Sequence, residues 1–405
     1  MTFDVDRVRA DFPSLTAGAA HFDSPGGTQM PQPVIDAISG ALQAPLSNRG
    51  TLTPAARNAD AIVLAARAAM GDLLNGDPLG VVFGRSATTL TFDMSRTLAQ
   101  THGWGPGDEI VVSRLDHDAN VRPWLIIADA VGATARFIDF DPETGELAPA
   151  AVVAQLSDRT RLVAVTAAST LIGTQPDIAA IADLVHAAGA LLYVDGVHHT
   201  AHAQVDVPAL GADFYVCSPY KFLGPHLGVL YAAPSLLQTL APDKLLPSSN
   251  TVPERFELGT LPYELLAGTT AAVDYLAGVA AGEGSRRQRL AVSHAAIEEH
   301  ERVLREELEA GLQALAGVTL YSRAARRTST LLFTVAGAEP SLVSEHLAAA
   351  GVNAPAGSFY AVETARHLGL GDSGGVRAGL TLYNSSDDVQ RLLAGVTELV
   401  GTPGR

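Results

Sequence analysis

One residue of this sequence is a candidate for covalent chemistry, and it is a lysine. Lysine occurs at Lys221 and Lys244, whereas the other 25 of the 27 basic residues are arginine. A desolvated lysine can lose its proton and attack a carbonyl carbon, which the always protonated arginine cannot do. Lys244 lies in the proline-flanked stretch 241–247 and is interpreted as a surface charge. Lys221 closely follows an apolar run, so it is the candidate nucleophilic amine.

Two further signals accompany Lys221. Asp195 ends an apolar run 26 residues before the lysine, and the small and hydroxyl-bearing residues 84–89 stand between a predicted strand and a predicted helix. Taken singly, the first is typical of a turn and the second of an ordinary helix cap. Together with Lys221, they supply an amine that forms an imine, a carboxylate that keeps a heteroaromatic nitrogen protonated, and a helix N-terminus that binds phosphate. This combination is what pyridoxal 5'-phosphate needs, and it predicts that cofactor.

Strand-like and helix-like patterns alternate between residues 80 and 232. The segment 177–188 has apolar residues on one helical face, and Gly189 is placed to end that helix. This alternation predicts a mostly parallel sheet whose ligands bind at the carboxyl ends of the strands. Predicted buried strands cover 80–83, 109–113, 135–140, 162–166, 191–195, 214–217 and 229–232.

The second part of the chain has a different pattern. The charged stretch 286–315 predicts a long helix, followed by strands at 318–322 and 329–335, a helix near 341–350, a strand at 376–383 and a last helix. We therefore predict an α/β protein of mostly parallel seven-stranded sheet with helices on both faces, plus a smaller α+β C-terminal domain. The predicted divisions are an N-terminal segment (1–15) packing on the small domain, a large cofactor-binding domain (16–283) and the small domain (284–405).

Composition excludes several other functions. With 27 basic against 43 acidic residues the net charge is −16, which disfavours nucleic acid and anionic membrane surfaces as partners. No apolar run is long enough to span a membrane, and the N-terminus carries acids where a signal peptide would be basic, so we expect a cytoplasmic protein.

The histidines at 198, 199 and 202 lack metal-site context, and the glycine pattern at 369–374 precedes a strand instead of a helix. We therefore expect neither a metal nor a dinucleotide.

The ordered motifs of this chain resemble a known family. The sequence is similar over nearly its whole length to the class V, fold-type I enzymes that use pyridoxal phosphate, in their cysteine desulfurase-like branch. The motifs carrying the resemblance are DSPGG (23–27), NRG (48–50), FGRSATT (83–89), DHDAN (116–120) with PW (123–124), DGVH (195–198), SPYK (218–221), RFELGT (255–260), and RAGL (377–380) with YN (383–384).

The resemblance implies roles for individual residues. Lys221 would hold the cofactor and move the proton at the substrate α-carbon, Asp195 would pair with the pyridine nitrogen, and His117 would stack on the ring. His198 stands where the family often has glutamine near the phenolic oxygen. The remaining implied cofactor contacts are Ala87, Thr88, Ser218, Tyr220 and Thr170, with Gly259 and Thr260 lent by the neighbouring subunit of a homodimer. The implied substrate contacts are Arg377, which would bind the α-carboxylate, and Arg49, Asn48, Gly26, Gly27, Ser358 and Tyr360.

Two departures from the family pattern bear on the reaction. Thr170 stands where an asparagine is expected near the cofactor oxygen. Desulfurases also carry a nucleophilic cysteine on the loop before the RAGL strand, and here the stretch 355–360 contains none. The single cysteine, Cys217, precedes Lys221 in a predicted strand and is interpreted as a buried structural residue. Desulfuration through an enzyme persulfide is therefore disfavoured.

The resulting prediction is an enzyme that uses pyridoxal phosphate and acts on an amino acid through an external aldimine, labelled broadly as a class V aminotransferase. Loss of a β-substituent in place of transamination would make it a C–S or C–Se β-lyase. A non-catalytic cofactor-binding homologue is the alternative from another class of protein.

Overall fold

The computed structural model describes residues 3–401. Met1 and Thr2, from the predicted N-terminal segment, and residues 402–405, from the predicted small domain, lie outside the described residues. The strands, in chain order, are β1 (Ala20–His21), β2 (Val81–Gly84), β3 (Glu109–Ser113), β4 (Thr134–Ile138), β5 (Thr160–Thr166), β6 (Leu191–Asp195), β7 (Phe214–Cys217), β8 (Gly228–Tyr231), β9 (Val318–Leu320), β10 (Thr330–Val335), β11 (Val352–Asn353), β12 (Ala356–Gly357) and β13 (Gly375–Gly379).

Helices connect and cover these strands. They are α1 (Val5–Ala10), α2 (Gln32–Gln43), α3 (Pro54–Leu74), α4 (Ala87–His102), α5 (Arg122–Val131), α6 (Pro149–Val153), α7 (Ile178–Ala187), α8 (His199–His202), α9 (Val207–Leu210), α10 (Pro234–Thr239), α11 (Tyr263–Gly278), α12 (Arg286–Gln313), α13 (Pro340–Ala349), α14 (Val362–His367) and α15 (Ser386–Gly401).

The large sheet confirms the predicted α/β architecture. Its strand order is β2-β8-β7-β6-β5-β3-β4. Strands β7, β6, β5, β3 and β4 run parallel, whereas β8 is antiparallel to both of its neighbours. The apolar sequences of the central strands follow from burial on both faces, as expected for a sheet covered by helices on each side.

Strand register places the carboxyl ends of β6 and β7 side by side. Asp195, the last residue of β6, lies opposite Val216 in β7, and Thr166 at the end of β5 lies opposite Asp195. The chain leaves β7 at Cys217 and reaches Lys221 through a short 3-10 turn, Pro219–Lys221. The two polar residues singled out in the sequence therefore lie at one edge of the sheet.

A second, antiparallel sheet has the order β12-β13-β10-β9. The predicted strand 376–383 is shorter than expected, because β13 ends at Gly379, where the backbone meets the segment after β1: the Gly379 N–H donates to Phe22 O. Near the N-terminus, the Arg9 guanidinium binds Asp388 Oδ2 at 2.7 Å, so α1 contacts the start of α15. Across residues 3–401, no helix is both long enough and apolar enough to cross a membrane.

Candidate active site

Lys221 is enclosed at the carboxyl edge of the large sheet. Its residue surface is 8% exposed, and its Nζ donates a hydrogen bond to Pro25 O. Burial and the nearby Arg377 guanidinium lower the pKa of Lys221 to about 7, although Asp23 and Asp195 act in the opposite direction. A substantial fraction of this amine is thus unprotonated near neutral pH, which is the form that attacks carbonyl carbons.

Asp195 provides the carboxylate on the neighbouring strand. Its Oδ1 accepts a hydrogen bond from the Val197 N–H at 2.8 Å, which fixes the side chain at the strand end. Burial raises its pKa to about 6, against the opposing effects of the Val197 N–H and Lys221. A cationic ring nitrogen beside this carboxylate would favour its ionised form, as an opposite charge does in any buried pair.

His117 faces the same cavity as a neutral imidazole. The Ala119 N–H donates to His117 Nδ1 at 3.0 Å, so the proton of the neutral ring is on Nε2. Burial, followed by the charges of Lys221 and Arg377, lowers the pKa of His117 to about 4. An uncharged flat ring can stack on another aromatic ring without adding charge to the site.

The N-terminus of α4 forms the third side of this cavity. Ser86 caps the helix, with its Oγ accepting from the Thr89 N–H at 3.1 Å, and the first intrahelical bond runs from Leu90 N–H to Ser86 O. The N–H groups of Ala87 and Thr88 precede that bond, so they are available to an anion. Gly228 lets strand β8 lie close to this helix N-terminus, because a Cβ at Gly228 would overlap the backbone of Ser86 and Ala87.

These side chains line a single cavity, which we call the cofactor cavity. It also contains His198, whose Nδ1 is buried and has no hydrogen-bond partner among the described residues. The amine, the carboxylate, the helix N-terminus and this unpaired nitrogen together fit pyridoxal phosphate, which has an aldehyde, a ring nitrogen, a phosphate and a phenolic oxygen. All nine predicted residues of this chain's own cofactor set line it: Lys221, Asp195, His117, His198, Ala87, Thr88, Ser218, Tyr220 and Thr170.

An adjoining cavity, the substrate cavity, shares Lys221 and His117 with the first. Arg377 on β13 is 2% exposed and donates from Nη2 to Asp23 Oδ1 at 2.7 Å and from Nη1 to Thr170 O at 3.1 Å. Its guanidinium carbon lies 3.7 Å from the ring centroid of Phe359. A buried guanidinium beside a reactive amine can bind a substrate carboxylate. Among the predicted substrate residues, the structure brings Arg377, Gly26 and Tyr360 to this cavity.

Other predicted residues do not line either cavity. Arg49 binds Asp60 and Glu254 instead, with Nε 2.8 Å from Asp60 Oδ1, because these carboxylates lie beside it on the protein surface. The remaining five are Asn48, which is exposed, Gly27, which packs on the Tyr220 ring, Ser358, which turns the loop before α14, and the exposed Gly259 and Thr260.

Several residues at the two cavities could not be predicted from the sequence, because their contacts join distant parts of the chain. Asp23 was part of a recognised motif, but nothing nearby in the sequence indicates its pairing with Arg377, 354 positions away. Phe92 and Phe359 line the substrate cavity, and Thr328 and Thr330 contact His198. No group of histidine, cysteine or acidic side chains suited to a metal ion occurs among residues 3–401.

Comparison with known proteins defines the class and then the family. The fold is that of fold-type I enzymes that use pyridoxal phosphate. The model of the aminotransferase class-V family matches residues 20–392, and the chain belongs to this family. It is a pyridoxal phosphate-dependent enzyme that acts on an amino acid.

Individual relatives agree with this assignment. An uncharacterized protein of Mycobacterium tuberculosis is 34% identical, covering 98% of this chain and all of that protein. A cysteine desulfurase of Klebsiella pneumoniae is 33% identical, covering 98% of this chain and 99% of its own. The crystal structure of the Escherichia coli cysteine desulfurase CsdA superposes with a TM-score of 0.86 at 27% identity, covering 98% of each chain.

Proposed function

We propose that the protein is an aminotransferase that removes the α-proton of an amino acid without using an enzyme persulfide. The observation that carries the proposal is the cavity surface shared by Lys221 and Arg377, to which the protein's one cysteine does not belong. A base and a carboxylate-binding cation side by side are what deprotonation at the α-carbon requires. The persulfide route would need a thiolate facing the substrate, and the loop at 355–360 has none.

Each residue of the two cavities has a separate role in the proposed transamination. When bound, pyridoxal phosphate supplies a carbon that amines attack and a ring that stabilises negative charge at the substrate α-carbon. Arg377 binds the α-carboxylate and orients the α-hydrogen. Lys221 Nζ takes that proton and returns it, while Asp195, which lines the cofactor cavity, provides negative charge there. His117 covers one side and excludes water.

The reaction is tested with purified holoenzyme, a panel of amino acids and a keto-acid acceptor. We expect a new amino acid from the acceptor in equal amount to the keto acid formed, with no release of ammonia or sulfide. Ammonia and pyruvate without transfer to the acceptor would instead show β-elimination. Turnover of none of the amino acids, with the cofactor bound, would overturn the proposal in favour of a non-catalytic protein.

A variant of Cys217 tests whether a thiol takes part. Cys217 is fully buried in β7, and burial raises the pKa of its thiol, so it is poorly suited as a nucleophile. Cys217→Ala is expected to keep kcat/KM within about twofold of the wild type, because a buried cysteine acts as a small apolar side chain. The measurement is steady-state turnover, with circular dichroism as the control for folding. Loss of activity in a correctly folded Cys217→Ala protein would contradict the proposal.

The lowered pKa of Lys221 predicts how cofactor uptake depends on pH. Below the pKa of about 7 the ammonium form cannot attack, so the rate of uptake by cofactor-free protein should fall about tenfold per pH unit. Above the pKa the rate should level off. Stopped-flow absorbance after mixing with pyridoxal phosphate measures this rate. A rate that continued to rise toward pH 10 would indicate a lysine with the ordinary pKa.

We also propose that the enzyme is a homodimer in the cytoplasm. The support is the family resemblance of Gly259 and Thr260, which are exposed here. Sedimentation at assay concentration tests the dimer, and a fully active monomer would contradict it.

The cytoplasmic location is supported by the acidic composition and the single cysteine, and cell fractionation tests it.

A further inference from the structure

The two ring nitrogens of His198 have different surroundings: one lies beside two threonine hydroxyls, and the other has no hydrogen-bond partner among residues 3–401. The residue is 3% exposed, and its Nε2 lies 3.0 Å from Thr328 Oγ1 and 3.0 Å from Thr330 Oγ1. Its other nitrogen, Nδ1, has no partner in the described part of the chain, although the side chain lines the cofactor cavity. One edge of the imidazole is thus held by hydroxyls while the other is available to a ligand.

The hydroxyl of Thr330 determines where the proton of His198 resides. Within residues 3–401, Thr330 Oγ1 makes its one hydrogen bond to His198 Nε2. A buried hydroxyl proton needs an acceptor, and this nitrogen is the acceptor in reach. Thr328 Oγ1, also 3.0 Å from Nε2, has a second acceptor in Gly173 O at 3.5 Å, so the one lone pair of Nε2 is left to the Thr330 hydroxyl. Nε2 therefore accepts, and the proton of the neutral ring is on Nδ1.

The surroundings keep this ring neutral. Burial lowers the pKa of His198 well below its usual value, and the neighbouring cations act in the same direction. His202 packs edge-on, with ring centroids 4.6 Å apart, and its Nδ1 lies 2.7 Å from Glu301 Oε2. The titratable and charged groups around His198 are His199, His202, Glu301, Lys221, Arg377 and Asp195.

We propose that Thr330 is a positioning residue that holds His198 with its proton on Nδ1, so that this nitrogen donates a hydrogen bond to an oxygen of bound pyridoxal phosphate. The inference rests on the proposed function, because it takes the cofactor as the occupant of the cavity. A neutral imidazole N–H stabilises an ionised phenolic oxygen by donating a hydrogen bond, and it does not transfer its proton to that oxygen. The unpaired Nδ1–H would also gain the partner that it lacks.

The test uses holoenzyme variants and the pH titration of the visible absorbance of the bound cofactor. Thr330→Val removes the hydroxyl with little change in volume, and it should raise the titration midpoint by about one pH unit, roughly tenfold in proton affinity. Thr330→Ser restores a hydroxyl and should return the midpoint close to that of the wild type. Thr334→Val, on the same strand but bonded to Tyr321, is the matched control and should leave the midpoint unchanged.

A second readout does not depend on activity. In ¹⁵N-histidine-labelled holoenzyme, the His198 signal, assigned by its loss in His198→Gln, should show a protonated Nδ1 in the wild type and in Thr330→Ser. A proton on Nε2, an equal midpoint for Thr330→Val and wild type, or an equal shift in Thr330→Ser and Thr330→Val would overturn the inference. Absence of any visible band in wild-type protein after incubation with pyridoxal phosphate would overturn the proposed function itself, and the inference with it.

Discussion

Replacement of Lys221 by alanine is expected to lower kcat/KM for every amino acid substrate by at least about 10³-fold, because the α-proton then has no positioned base. Lys221→Arg should be equally inactive, since a guanidinium keeps the positive charge but does not give up its proton. The measurement is turnover of the best substrate found in the panel, with protein concentration set from the aromatic absorbance.

Lys244→Ala is the matched control, as it removes the other lysine. Lys244 Nζ donates to Ser248 O at 3.0 Å and does not line either cavity, so this variant should keep wild-type activity. A Lys221→Ala enzyme with more than about a tenth of wild-type activity would show that another group acts as the base.

Replacement of Arg67 by methionine is expected to destabilise the protein by about 3–5 kcal/mol, because it leaves a buried carboxylate without its counter-charge. Arg67 donates to both carboxylate oxygens of Glu257, at 2.9 and 2.7 Å, and the two side chains are 2% and 4% exposed. The Phe83 N–H also donates to Glu257, so this pair fixes the segment before Gly259 and Thr260 onto β2. Urea unfolding followed by circular dichroism measures the loss.

Two variants control that measurement. Arg302→Met removes an arginine whose partners, Glu299 and Glu306, are exposed, and it should leave the unfolding midpoint near that of the wild type because solvent replaces such contacts. The double variant Arg67→Met/Glu257→Gln removes both charges, so it should recover part of the lost stability. A loss below about 1 kcal/mol in Arg67→Met alone would mean that the Glu257 carboxylate is not buried in solution.

The sequence predicted the parts of this molecule that depend on local pattern. The buried strands were found because runs bounded by Gly, Asp or Ser are readable without knowing their neighbours, and β3, β6 and β7 have the predicted bounds. Asp195 and Lys221 followed from their positions at strand ends, and the structure brings both to one cavity. Their catalytic roles are still predictions.

The sequence could not predict contacts that depend on tertiary packing. Nothing in the local pattern of β8 indicates that it runs antiparallel between β2 and β7. The hydroxyl of Thr330 reads as an ordinary strand residue until folding places it against His198, 132 positions earlier. Arg49 was expected at the substrate because of its motif, whereas in the structure its guanidinium is bonded to Asp60 and Glu254.

The ion pair between Asp23 and Arg377 has a consequence for the selection of ligands. Since Arg377 already contacts a carboxylate of its own chain, an incoming substrate carboxylate exchanges one anionic partner for another instead of meeting a bare cation. Simple anions, which offer a single weak contact, gain little from that exchange. In the proposed reaction, an amino acid would also engage Lys221 and the cofactor, and these added contacts would favour its displacement of Asp23. On this proposal, Asp23 competes with incoming anions for Arg377, and inorganic anions displace it less readily than a complete substrate does.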